Sequence, residues 1–255
     1  MRQLVSLALT LALPIPAAAQ ALETAADRGI TRGSAASEAL GAAAPRAKPK
    51  IVVIDAGHGG RDQGAIFHGL KEKELARSIA DKLQAALAAV KGLASRETRE
   101  GDRYLGLADR VDKAAELGGK AMVSIHADDV RGGGERGVVL YYYGRFRRLH
   151  PRPGVRVLTD PPRSQVRASR ELARHLHKSL REHGIPVRGI DRAAYVVLKS
   201  PRIPSVLVEV GNLRDGREAG RMADPRFQEA VSQALAQGLG SYLEASEPVL
   251  AASIR

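Results

Sequence analysis

The segment KIVVIDAGHGGRDQGA, Lys50 to Ala65, joins a run of β-formers to a glycine-rich turn holding a lone histidine. Ile51 to Ile54 is apolar without alternation, which marks a strand covered on both faces. Strands of that kind belong to α/β sheets, so this segment sets the expected fold class. The turn after it admits three readings: a loop cradling phosphate, a metal site, or an ordinary tight turn. GHGGRDQG lacks the Lys-Ser/Thr pair of a phosphate loop and the GxGxxG spacing of a dinucleotide loop. On the motif alone, metal site and tight turn both stay open.

Outward from this strand, further apolar runs read as strands at Ala121–Ile125, Gly137–Tyr143, Ala194–Leu198 and Ser205–Val208, with a weaker one around Lys91–Arg99. Helical stripes lie between them. Glu72–Val90 carries Leu75, Ile79, Leu83 and Leu87, and Arg103–Leu117 carries Leu107, Val111 and Ala114. Ser164–His183 carries Val166, Ala173, Leu176 and Leu180. The last helix, Pro225–Leu243, begins with Asp224 as N-cap and Pro225 at the first helical position. This alternation predicts an α/β fold: a mainly parallel twisted sheet flanked by helices, with the site at the carboxyl ends of its strands.

The chain has 255 residues, none of them cysteine. Disulfides and thiolate metal sites are thereby excluded, leaving His, Asp and Glu as ligands. Arg2, the apolar run Leu4–Leu13 and the small residues of PIPAAAQA form a signal-peptide pattern, too short for the roughly 20 residues of a membrane span. The expected organisation is a signal peptide at 1–21, a flexible leader at 22–49, one catalytic domain at 50–245 and a tail at 246–255. Export to the periplasm or cell envelope follows, with no membrane span. The net charge of +12 is densest in GRFRRLHPRPGVR and PPRSQVRASR. It lacks the aromatic interleaving of a single-strand binder, so no nucleic-acid partner is expected, and envelope polymers or a solvated basic surface remain.

Three expected strands run into polar residues: the first into His58, AMVSIHAD into His126, and SVLVEVGN into Glu209. A fourth group comes from the helix after the opening segment. At about 100° per residue, Glu72 lies about 20° from Ile79 and Leu83, whereas Glu74 lies roughly 140° from Ile79. Glu72 therefore points inward, where a carboxylate is costly unless something pairs with it. Two histidines and a glutamate leave one tetrahedral position for water, the pattern of catalytic zinc, with Glu209 as general base. A first-turn glutamate favoured by the helix dipole is the plainer alternative for Glu72. His68, in the IFHGLK loop, is a candidate outer-shell or substrate contact.

IDAGHGGRDQGA…GLKEKELARSIADKL, TREGDRYLGLADRVDKAAELGGKAMVSIHAD and YVVLKSPRIPSVLVEVGNL resemble the zinc-dependent N-acetylmuramoyl-L-alanine amidases of bacterial cell walls, in order, over residues 50–243. The resemblance implies hydrolysis, by zinc-activated water, of the amide joining N-acetylmuramic acid to the L-alanine of the stem peptide. It places the metal ligands on His58, Glu72 and His126 and the catalytic glutamate on Glu209. Ala56 stands where the family has proline, Asp128 where it has asparagine, and Asn212-Leu213-Arg214-Asp215 where it has F-L-S-N. The implied partner is peptidoglycan, the expected state a monomer, and any activator is unspecified. Asn212 and the Arg/Pro-rich segment 145–163, through Arg145 and Arg147, are candidate substrate contacts. Two rival readings are another zinc peptidase cutting cell-wall peptides and a non-catalytic wall-binding relative.

Overall fold

The computed structural model describes residues 48–128, 136–144 and 156–246. The signal peptide, almost all of the leader, the tail beyond Ser246, Arg145 and Arg147 lie outside them. In chain order the elements are β1 (Lys50–Ala56), β2 (Ile66–Phe67), β3 (Leu70–Lys71), α1 (Glu72–Ala88), β4 (Leu93–Glu97), α2 (Leu107–Glu116), β5 (Ala121–Asp128) and β6 (Val138–Tyr143). They continue with α3 (Arg163–Glu182), β7 (Val187–Ala193), a 3-10 turn (Val196–Leu198), β8 (Ser205–Asn212), α4 (Gly216–Ala223) and α5 (Pro225–Ala245).

Six strands form one sheet in the order β4-β1-β5-β8-β6-β7, and β2 and β3 make a small hairpin beside it. Every neighbouring pair in the large sheet is parallel except β6–β8. The mainly parallel α/β expectation therefore matches the fold. Alternate residues of each strand serve opposite faces, as the two-residue period of a strand requires. Val52, Ile54, Val123, Ile125, Val206 and Val208 pack with α1, α3 and α5, while Val53, Met122 and Leu207 pack with the α2 side and the 3-10 turn. Burial on both faces is why these runs show no polar alternation.

Helix ends follow local chemistry. The Asp224 side chain accepts from the Arg226 amide, with Pro225 at the start of α5, as expected. Gly118 and Gly184, just past α2 and α3, both take left-handed backbone angles. Asp215 caps α4, a helix the sequence reading did not predict, by accepting from the Arg217 and Glu218 amides.

Three expectations need correction. Ala194–Leu198 is not a strand: Val197 and Leu198 are buried in a 3-10 turn against Met122, Ile203 and Leu207, so the apolar run reports burial rather than extension. The strand is Val187–Ala193, an edge strand that pairs through its backbone with β6. Secondly, α2 begins at Leu107, not Arg103, because the preceding loop is used elsewhere: the Gly60 amide donates to the Asp102 carboxylate at 2.7 Å. Thirdly, Leu107 is 44% exposed, and Arg110 takes its place among the buried residues of α2.

Arg110 is buried because Asp55 on β1 faces it. The carboxylate of Asp55, 0% exposed, accepts from Arg110 at 2.9 Å, Ser124 at 2.6 Å and Thr98 at 2.5 Å. Burial opposes its ionisation, but the Arg110 charge and these donors overcome that and hold the carboxyl below its usual range. Its stabilising contribution is thus present above the unfolded pKa of about 3.9 and is lost as pH falls through the lower folded value. Asp55→Asn leaves a buried guanidinium without its counter-charge and is expected to cost about 3–5 kcal/mol. Urea unfolding at pH 7 and in acid checks both points: the variant is weaker at pH 7 and loses less on acidification than the parent.

Candidate metal centre and active site

The site grows from the register of the sheet. Asp55 pairs with Ser124 and Ser124 with Leu207, which sets one row of side chains on the α2-facing side. Two residues further along each strand, the next row toward the carboxyl edge is Gly57, His126 and Glu209. His126 is the register partner of Glu209, so their side chains leave the same face on adjacent strands. The Gly57 amide continues the ladder to the Ile125 carbonyl at 3.0 Å. A Cβ on Gly57 would lie 2.5 Å from His126 Cε1, 2.7 Å from Nε2 and 2.7 Å from the Ile125 carbonyl oxygen, so this glycine is set by the imidazole lying over it and by the neighbouring strand.

Glu72 reaches the same place from the first turn of α1 and is 6% exposed. Its Oε1 lies 2.9 Å from His58 Nε2 and 2.9 Å from His126 Nδ1, and accepts from the Ala127 amide at 3.1 Å. Oε2 accepts from the Ala65 amide at 2.9 Å. Burial opposes ionisation here too, but hydrogen bonds and charge from His126 and His58 drive the carboxyl far below its usual range. Glu74, rejected on helical angle, is exposed and pairs with Lys71. One donor atom each from His58, Glu72 and His126 lies within 4.8 Å of the others, a set that could hold a metal ion. Two imidazoles and one carboxylate, with no thiolate, suit zinc.

The turn of the opening segment explains how His58 is aimed. His58 and His68 are the non-glycine residues with positive φ among the described residues, at 57° and 52°. Left-handed backbone costs of order 1–3 kcal/mol in a non-glycine residue and persists where surroundings impose it, often at functional sites. Asp62 Oδ1 lies 2.9 Å from His58 Nδ1 and accepts from the Gly64 amide at 3.1 Å. The second nitrogen is thus oriented by a carboxylate, as metal-ligating histidines commonly are. Burial lowers the His58 pKa, but Glu72 and Asp62 outweigh it, with a net upward shift. The sequence reading missed Asp62; its signal was an acid four residues after a candidate ligand histidine in a turn.

His68 Nε2 lies 3.2 Å from the Arg214 carbonyl, tying the β2–β3 hairpin to the loop after β8. Asn212 Oδ1 accepts from the Arg214 amide at 2.9 Å. Both residues thus shape backbone next to elements that carry Glu72 and Glu209. Glu209 itself is 9% exposed. Because β6 runs antiparallel to β8, its last residue, Tyr143, lies toward the edge where β8 begins, away from the His–Glu–His set.

Gly57→Ala is expected to displace both the His126 ring and the Ile125 carbonyl, against which the new Cβ would press, while leaving the secondary structure in place. A shift of about 1 Å at a reacting centre costs on the order of a hundredfold. Turnover measured beside far-UV circular dichroism checks this, with activity falling and the spectrum unchanged.

Fold and site together define an α/β domain with a His–Glu–His set able to hold a metal at the carboxyl edge of its sheet. The chain belongs to the N-acetylmuramoyl-L-alanine amidase family, whose model matches residues 52–241. N-acetylmuramoyl-L-alanine amidase AmiA of Escherichia coli (strain K12) is 31% identical over 249 residues, covering 84% of this chain and 86% of that protein. The catalytic domain of CwlV, an N-acetylmuramoyl-L-alanine amidase from Bacillus (Paenibacillus) polymyxa var. colistinus, superposes with a TM-score of 0.64 at 32% identity, over 76% of this chain and 98% of that one. The N-acetylmuramoyl-L-alanine amidase of Clostridium difficile 630 gives 0.67 at 27% identity, over 79% and 100%. The chain is a peptidoglycan amidase of this family.

Proposed function

We propose that this enzyme is exported and hydrolyses the amide between the lactyl group of N-acetylmuramic acid and the L-alanine of the stem peptide. Zinc would be held by His58, Glu72 and His126, and Glu209 would move the proton. The observation that carries this reading is the placing of His126 and Glu209 side by side on one face of the sheet, with Glu72 against His126. When bound, zinc polarises a carbonyl and lowers the pKa of water. Glu209 takes a proton from the attacking water as its oxygen bonds to the amide carbon. The C–N bond then breaks, and Glu209 delivers that proton to the departing alanine nitrogen. Asp62 holds the His58 ring.

His68 and Asn212 shape the backbone against which substrate would lie; Arg145 and Arg147, expected as contacts for stem-peptide carboxylates, lie outside the described residues and follow a strand end directed away from the His–Glu–His set, so no contact is assigned to them. The domain assignment proposed is signal peptide 1–21, leader 22–49, catalytic domain 50–245 and tail 246–255. Export is supported by the signal pattern at the start of the chain, and no helix of the described residues is long and apolar enough to cross a membrane. Digestion of purified sacculi with product masses determined tests the bond. Intact stem peptides with a free L-alanine amine are expected; fragments cut inside the stem would overturn the assignment.

A further inference from the structure

We propose that Arg110 and Arg99 are positioning residues that fix the His58 loop for metal capture, an inference that rests on the metal reading above. The two residues are 1% and 3% exposed. Between them they take the carbonyls of three consecutive residues. Ala56 O accepts from Arg110 at 2.8 Å and from Arg99 at 2.9 Å. Gly57 O accepts from Arg99 at 3.1 Å, and His58 O from Arg110 at 2.6 Å. Arg110 also donates to Asp55 at 2.9 Å and to Leu105 O at 3.1 Å, and Arg99 donates to Gly101 O.

A stretch this rich in glycine has many backbone states to lose. The carbonyls at 56, 57 and 58 report which state is chosen, and each is gripped by a planar, forked cation. Arg110 bonds directly to Asp55, whereas the Arg99 guanidinium donates to carbonyls, whose dipoles supply compensation that its burial demands. Turning any of these carbonyls away would strand buried positive charge. The His58 backbone is thereby held in its left-handed conformation, from which its ring meets Glu72 and Asp62. If Arg110 served only to neutralise Asp55, a point charge would suffice. The bonds to Ala56 and His58 require the fork, which lysine does not have.

The test is Arg110→Lys in the full chain, with zinc affinity measured by chelator competition alongside kcat and KM. The variant keeps a cation for Asp55 and loses the fork. We expect a folded protein whose zinc dissociation constant rises about 10- to 100-fold, as for other outer partners of metal ligands, with kcat lowered and KM little changed. Folded Arg110→Lys with parental zinc affinity and kcat would overturn the proposal. If that variant does not fold, Arg99→Lys leaves the Asp55–Arg110 pair intact and decides in the same way: weaker zinc binding supports positioning, and unchanged binding overturns it. A parent chain that binds no zinc would refute the metal reading and this inference with it; a zinc-binding parent with unaltered variants would refute this inference alone.

Discussion

Glu209→Ala is expected to keep its metal and lose amide hydrolysis by roughly 10²–10⁴-fold, the usual contribution of a general acid–base group. The residue sits in β8 as the register partner of His126 and is absent from the His58–Glu72–His126 set whose donors converge. Removing its carboxylate would take away the proposed proton carrier without removing a member of the converging set. The loss should fall on kcat, since the interaction matters most in the transition state. Zinc content measured beside turnover separates the roles. One zinc per chain with activity abolished is the expected pair; full activity would sink the proton-transfer role, and loss of zinc would make Glu209 a ligand instead.

Glu72→Ala should have the opposite signature, losing metal and activity together. Its Oε1 stands within 2.9 Å of both His58 and His126, so one carboxylate joins the two imidazoles. Truncation also strands the amides of Ala65 and Ala127, which donate to it. Metal affinity is expected to fall by more than the roughly 10- to 100-fold typical of outer partners. Glu72→Gln controls for the stranded amides, because its amide oxygen can still accept from the backbone while the ligand charge is gone. Equal metal loss in both variants, by elemental analysis after dialysis, is the expected result. Retention of metal by the glutamine variant would confine Glu72 to a structural role.

The parts of this molecule legible in the sequence are those that follow from burial. Ile51–Ile54 and Ser205–Val208 declare buried strands because both their faces are covered, and Glu72 declares itself because a carboxylate stands in an apolar helical stripe. Edge structure was harder to read. In β7, Arg188, Asp191 and Arg192 are exposed, so the strand has no apolar run to announce it. The 3-10 turn at Val196–Leu198 had such a run because it packs beneath the sheet. Asp62 and the Asp55–Arg110–Arg99 cluster escaped notice because charged residues ordinarily read as solvated surface. The angular test that singled out Glu72 applies equally to Arg110, which lies about 40° from Ala114 on the inward stripe of α2. A cation there requires a buried acid, and Asp55 is the one that answers it.

The central claim is that hydrolysis depends on a metal held by His58, Glu72 and His126. Its most direct test is to strip the protein with chelator, return zinc in measured equivalents, and follow release of stem peptides from sacculi. Negligible activity is expected in the stripped protein, rising in proportion to added zinc and levelling at one equivalent. Full activity in the metal-free chain would contradict the claim.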